Sequence, residues 1–303
     1  MMKIAKFLLI LLILVSATVG TVVLLSSKPN SSQTGDRINI VASANFWGDV
    51  AKQIGGDRVN VTSVISDPEA DPHLYESSAS NAAALVEADV VIVNGLGFDD
   101  FMDKLLGAAP ADKRTVIRAD EATNTAKDAN PHIWYDPAKV QLVAESIEAE
   151  LVRLDSTHAE EYRQNLQKFT DENEKITAAA ARIAQAHPGA PVAYTERVSE
   201  YILVKAGLTI KTPEGFSAAL EEGNDASPAD AVAMQDLIAK GQIKVFVYNP
   251  QAASPTTERL RELARSAGVP VVAMTETLPT EQPSIQAWQL SQVESLESAL
   301  NGK

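Results

Sequence analysis

"HAEEYRQNLQKFTDENEKITAAAARIAQAH", residues 158–187, runs without a glycine or a proline. Within it Tyr162, Leu166, Phe169, Ile176, Ala180 and Ile183 recur at spacings of three, four or seven, which sets them on one face of a helix. At ~1.5 Å per residue the stretch makes a rod of roughly 40 Å. "HPGAP" at 187–191 stops it. A rod is a poor hinge, which argues against a wide clamshell motion.

A different grammar flanks the rod on both sides: an apolar run of β type, a polar turn, then a helix. "INIVAS" (38–43) leads into "NFWGDVAKQIGG", where Phe46, Val50 and Ile54 recur every four residues. "ADVVIVNG" (88–95) leads into "GFDDFMDKLLGAA", and "APVAYTE" (190–196) into "RVSEYILVKAGL". "IKVFVYNP" (243–250) precedes "TTERLRELARSAG", and "VPVVAMTE" (269–276) precedes a short C-terminal helix. Strand–helix alternation predicts an α/β fold: two lobes with mostly parallel sheets flanked by helices, joined by one long α-helix. Ligands in such sheets gather at the carboxyl ends of strands. The chain then divides into a signal or membrane-anchor helix (1–25), a linker (26–36), an N-terminal lobe (37–156), the connecting helix (157–187) and a C-terminal lobe (188–303).

Bulk composition narrows the function. Hydrophobic residues at 45% and charged residues at 22% are ordinary for a globular chain, so no staple is needed to hold a core. A formal net charge of −14 opposes nucleic-acid binding, which requires a basic excess, and is compatible with cations. The absence of cysteine excludes disulfides, thiolate catalysis, cysteine-ligated zinc and a lipid thioether anchor. Lys3 and Lys6 precede an uncharged run from Phe7 to Leu25, long enough nearly to span a hydrocarbon core of about 30 Å. It is either a secretory signal cleaved near "VSA" (15–17) or a retained anchor. Continuation of the apolar run past Ala17 favours the anchor, and both place the body of the protein outside the cytoplasm. "SSKPNSSQTGD" (26–36) is a polar tether.

Four histidines occur in the chain, and two sit in matching frames: "DPHLYE" (71–76) and "NPHIWYDP" (130–137). Each proline constrains the backbone before its histidine and presents the imidazole from a loop. Asp71, Glu76 and Asp136 stand nearby as partners that could orient an imidazole. His158 and His187 sit at the ends of the rod and read as capping or surface residues. Further ligands are sought at strand ends of the second half, where Glu196 ends "PVAYTE" and Glu276 ends "VVAMTE". By residue type alone each would be a solvated carboxylate at a helix start.

These segments, together with "NFWGDVAKQIGGD", "ADVVIVNGLGFD", "VYNPQAASPTTERLRELARSAGVPVVAMTETLP" and "WQLSQVESLESAL", resemble the metal-binding substrate-binding proteins of bacterial manganese and zinc ABC importers. The resemblance covers residues 38–301. It implies four metal ligands, His73, His132, Glu196 and Glu276. The last departs from the pattern, since the family usually places an Asp there. The family's lipoproteins are anchored through an N-terminal cysteine; its lack here supports the uncleaved helix as the substitute. Also missing is the His- and acid-rich insertion of many zinc-type members.

The function so implied is capture of a divalent ion, Mn²⁺ or Zn²⁺ with Fe²⁺ possible, and delivery to a membrane permease by a monomer on the outer face. Two imidazoles with two carboxylates form a hard site suited to Mn²⁺, whereas the Irving–Williams order favours Zn²⁺. A zinc hydrolase using the same His/His/Glu set is the alternative. Against it, a fourth carboxylate closes the site and no HExxH motif is present. An adhesin is a third class, for which no adhesive patch is evident.

Overall fold

Strand and helix alternate as expected and build two four-stranded sheets. The structure, a computed structural model, describes residues 37–67 and 79–302. The segment carrying His73, Asp71 and Glu76 lies outside the described residues, as do the anchor and tether assignments. Among the described residues no helix is long and apolar enough to cross a membrane.

The first sheet comprises β1 (Ile38–Ala44), β2 (Val59–Ile65), β3 (Val90–Val93) and β4 (Thr115–Arg118), in the order β2-β1-β3-β4. The second comprises β5 (Pro191–Tyr194), β6 (Thr209–Ile210), β7 (Val245–Tyr248) and β8 (Val271–Ala273), in the order β6-β5-β7-β8. Every pairing is parallel. The central strands are buried along both faces: "VVIV" of β3 and "VFVY" of β7 expose nothing. That is why they read as unbroken apolar runs rather than as alternating ones. In each sheet the strand order reverses between the first and third strands, and a crevice opens there at the carboxyl ends.

Helices cover both faces. The outer face of the first sheet buries Val41, Val91, Leu85 and Met102 beneath the helices Ala79–Val86 and Phe101–Ala108. The outer face of the second buries Phe246, Phe216, Met234 and Leu260 beneath Glu214–Glu221, Pro228–Ala239 and Pro255–Ser266. The inner faces share one continuous cluster that runs from Ile40 and Trp47 through Phe169 and Ile183 to Val245 and Trp288. The C-terminal helix, Ile285–Leu300, belongs to this shared core and is sixteen residues long rather than short.

The long helix spans Ala159–Ala186. Its buried face carries Tyr162, Phe169, Ile176, Ala180 and Ile183, with Leu166 only partly covered. The wide gap in the apolar stripe is filled by Asn173, which is buried and donates to the Pro137 carbonyl at 2.7 Å. Asn165 ties the first half of the rod to Ile54, and Arg182 forks onto Glu297 of the C-terminal helix. The rod is thus clamped along its length to elements of both halves.

Two features at the carboxyl ends of the first sheet shape its crevice. Phe46 stacks on Trp134 at 4.2 Å, and Phe98 meets the same indole edge-on at 4.8 Å. After β3 the chain turns through Gly95, Leu96 and Gly97, all at positive φ. A side chain at Gly95 would collide with the Asp120 carboxylate, its Cβ only 2.4–2.7 Å away. The turn is held by Asp99, whose carboxylate accepts the Asn94 amide at 2.6 Å and the Gly95 amide at 2.8 Å. Burial pushes the Asp99 carboxyl up to about 6, against the pull of those two amides.

Phe46→Ala should remove the stacking platform for Trp134 and cost about 3–5 kcal/mol in a denaturant titration. Asp99 generates a pH-dependent expectation. An aspartate in the unfolded chain titrates near 4, so between roughly pH 4 and 6 the native state holds a proton that the unfolded state has released. The stability this proton confers falls as pH rises through that window, by about 3 kcal/mol in all. Asp99→Asn should flatten that part of the profile; parallel curves for both proteins from pH 4 to 7 would contradict the assignment.

Candidate metal centre

His132 stands in a loop ahead of the turn Ile133–Tyr135 and is wholly buried. Asn94, at the end of β3, donates to the Pro131 carbonyl at 2.9 Å while its own carbonyl oxygen accepts from the Trp47 indole at 3.2 Å. This pins the histidine loop over the crevice of the first sheet. The imidazole meets Trp134 edge-on at 5.1 Å.

Hydrogen bonding fixes the orientation of the Asn130 amide. Asn130 Oδ1 accepts the His132 backbone N–H at 3.0 Å and lies 2.7 Å from His132 Nδ1. Asn130 Nδ2 donates to the Arg197 carbonyl at 2.8 Å. Turning the amide over would set donor against donor at one end and acceptor against acceptor at the other. A neutral ring with its proton on Nδ1 donates to Asn130 Oδ1 and offers a lone pair on Nε2. Nε2 lies 3.2 Å from Glu276 Oε1, with His132 and Glu276 both buried.

Two segments of the second half position the carboxylates. Glu196 follows β5, and Asn249 follows β7, on either side of the point where the strand order reverses. Asn249 Nδ2 donates to Glu196 Oε2 at 2.7 Å, while the Asn249 amide donates to Thr195 Oγ1 at 3.1 Å. Two residues on, Gln251 Oε1 accepts the backbone amides of Glu276 at 2.6 Å and Thr277 at 3.0 Å. Thr275 is held on three sides: by Tyr135 on its carbonyl, by Gln292 on its amide and by the Trp288 indole on its hydroxyl. Asn45 closes the loop, its amide giving and receiving a hydrogen bond with the Leu278 backbone. The Glu276 loop is therefore built by side chains from both halves.

Neither carboxylate is the solvated helix-start residue that its residue type suggests. Glu196 is 5% exposed and Glu276 only 1%. An ionised carboxylate in such surroundings requires donors or a cation. Asp136 does not orient the imidazole; it caps the helix Pro137–Leu154 and faces Lys205 at 3.7 Å. Asn130 has the orienting place, a role the "NPH" frame holds but residue type alone did not flag. His158 pairs with Asp155, and His187 with Asn301, both at the ends of the long helix.

The structure thus brings His132 and Glu276 together. Glu196 is joined to the same region through Asn130 and Arg197, and His73 lies outside the described residues. Among the described residues no three His, Cys, Asp or Glu side chains cluster closely enough to hold a metal ion by themselves.

The chain is similar to known proteins in both sequence and fold. Residues 40–299 match the family described as zinc-uptake complex component A, periplasmic. The chain is 24% identical over 241 residues to the manganese-binding lipoprotein MntA of Bacillus subtilis, covering 77% of each protein. It is 29% identical over 174 residues to the protein of the same name from Halalkalibacterium halodurans, a match spanning 56% of each. Its fold is shared with the periplasmic zinc-binding protein TroA of Treponema pallidum, at a TM-score of 0.73 and 20% identity over 87% of this chain and 99% of that one. The family match takes in both sheets, the long helix and the residues around His132 and Glu276, and this chain is a member of the zinc-uptake complex component A family.

Proposed function

We propose that the protein is an extracytoplasmic solute-binding protein that captures a divalent transition-metal ion between its two halves and delivers it to the permease of an ABC importer. The observation that carries this reading is a pair of facing side chains. His132 Nε2 and Glu276 Oε1 meet at 3.2 Å in the dry interior, close enough to share a proton. Both are metal-ligating atoms, and a cation can take the place of that proton. Ligand atoms sharing one ion at bond lengths of about 2.0–2.2 Å sit at about this spacing.

The proposed ligands are His73, His132, Glu196 and Glu276. Residues 37–156 and 188–303 are the two halves that supply them, joined by the helix at 157–187. An open cleft beside Glu196 is lined by Glu221, Glu222 and Asp225, and with a net charge of −14 it draws cations inward. Glu221 is already engaged by the Arg197 guanidinium, so Glu222 and Asp225 supply most of the attraction.

The cargo is Mn²⁺ or Zn²⁺, with Fe²⁺ a third candidate. Two imidazoles and two carboxylates suit the harder Mn²⁺, and both sequence relatives are named as manganese-binding. The Irving–Williams order gives Zn²⁺ the tighter intrinsic binding at any such site. The relatives are named lipoproteins, whereas this chain has no cysteine; residues 1–25 direct export and are either retained as an anchor or removed as a signal. The protein acts as a monomer and turns nothing over.

Calorimetric titration of the chelator-stripped protein with Mn²⁺ and Zn²⁺ should give one ion per chain. His132→Ala and Glu276→Ala should each weaken binding at least as much as the 10–100-fold typical of losing a ligand's supporting partner. Acidification should release the ion, because each ligand binds metal only after losing its proton. Unchanged affinity in Glu276→Ala would remove that residue from the set, leave an open coordination position and favour the hydrolase. Chelator-sensitive cleavage of an ester or peptide would then decide for the enzyme.

A further inference from the structure

We propose that Asn130 is a positioning residue that keeps His132 ready for metal, and that it is itself held in place from the opposite half of the protein. This inference rests on His132 being a metal ligand.

A neutral imidazole has two tautomers, and in this pocket they have opposite consequences. With its proton on Nδ1, His132 turns a lone pair toward Glu276 and can share a cation with it. With its proton on Nε2, the ring would donate a hydrogen bond across the same 3.2 Å and would have no lone pair there for a cation. Readiness for metal therefore calls for a group that favours the first form.

Asn130 has the geometry for that task. Its Oδ1 lies 2.7 Å from Nδ1 and accepts a bond only if Nδ1 carries the proton. The same oxygen accepts the His132 backbone N–H, so imidazole and backbone are aligned on one atom. The amide cannot turn over, because its Nδ2 is bound to the Arg197 carbonyl. Arg197 is anchored in turn: its backbone N–H and its guanidinium both donate to Glu221. The backbone carbonyl of Asn130 accepts the Tyr201 hydroxyl at 2.8 Å, a second tie to the same opposing segment. One planar side chain therefore spans from an imidazole on the first half to a main-chain carbonyl on the second. An open groove lined by Asp136, Tyr201, Val204 and Lys205 runs beside it. Without the Arg197 tie the amide would be free to turn over and would no longer specify which imidazole nitrogen is protonated.

Long-range ¹H–¹⁵N spectra of the metal-free full-length protein, at a pH where the ring is neutral, test this directly. The His132 proton is expected on Nδ1. In Asn130→Leu it should shift to Nε2, and calorimetric Mn²⁺ affinity should fall 10–100-fold. Asn130→Asp keeps an oxygen facing Nδ1 and should restore the Nδ1 proton together with affinity within about tenfold of the parent. A wild-type proton on Nε2 overturns the proposal without recourse to any variant. So does an Asn130→Leu protein with an unchanged thermal melt that binds Mn²⁺ as the parent does. His132→Ala, titrated alongside, separates the two levels: unchanged affinity there refutes the ligand assignment itself. Lost affinity there with parental affinity in Asn130→Leu refutes only the role of Asn130.

Discussion

The meeting of His132 Nε2 with Glu276 Oε1 in the dry interior is the interaction around which the rest of the molecule is arranged. Its two partners are 144 residues apart and stand on opposite halves. A carboxylate and an imidazole meeting at this distance can share a proton or a cation only while both loops hold their places. On one side Asn94 fixes the histidine loop to the first sheet, and Asn130 ties it to the Arg197 carbonyl. On the other Gln251, Trp288, Gln292 and Tyr135 fix the glutamate loop. Almost every tie is an amide or a hydroxyl, groups that can position a charged or metal-binding side chain without adding charge of their own.

The force that sustains this arrangement is apolar burial. Phe46, Trp134, Trp288 and Tyr135 lie fully buried in a cluster that passes from the inner face of one sheet to the inner face of the other. The shared core also alters the picture of a rod linking two separate bodies. The long helix is present, but the C-terminal helix and the turn at residues 133–135 make a second, direct connection.

That second connection is unusually polar for a core. Gln286, Gln289 and Gln292 follow one another every three residues along the C-terminal helix, all buried. Gln286 accepts from Gln53, Gln289 donates to the Trp134 carbonyl, and Gln292 receives Tyr135 and the Thr275 amide. Apolar side chains would hold these surfaces together in several registers. Losing one of these bonds would orphan a buried group at about 1–3 kcal/mol, so they favour the register seen, even though Gln286 Nε2 and Gln292 Nε2 are themselves buried without a partner among the described residues.

Local pattern determined a good deal. Alternating apolar runs and helices specified two parallel α/β halves, and a breaker-free amphipathic stretch specified the rod, since both signals come from neighbours a few residues apart. The proline-framed "NPHIWYDP" singled out His132, and strand-end position singled out Glu196 and Glu276. Other features had no local trace. Asn173 interrupts the apolar stripe yet is buried, because its partner Pro137 is 36 residues away. Asp136 neighbours the histidine in sequence but caps a helix, while Asn130, no more conspicuous, holds the imidazole. The burial of Glu196 and Glu276 reversed what their residue type suggests. Periodicity reports which face of an element is buried; it is silent on which donor meets which acceptor. That pairing is made across tens to hundreds of residues, and only the packed tertiary structure decides it.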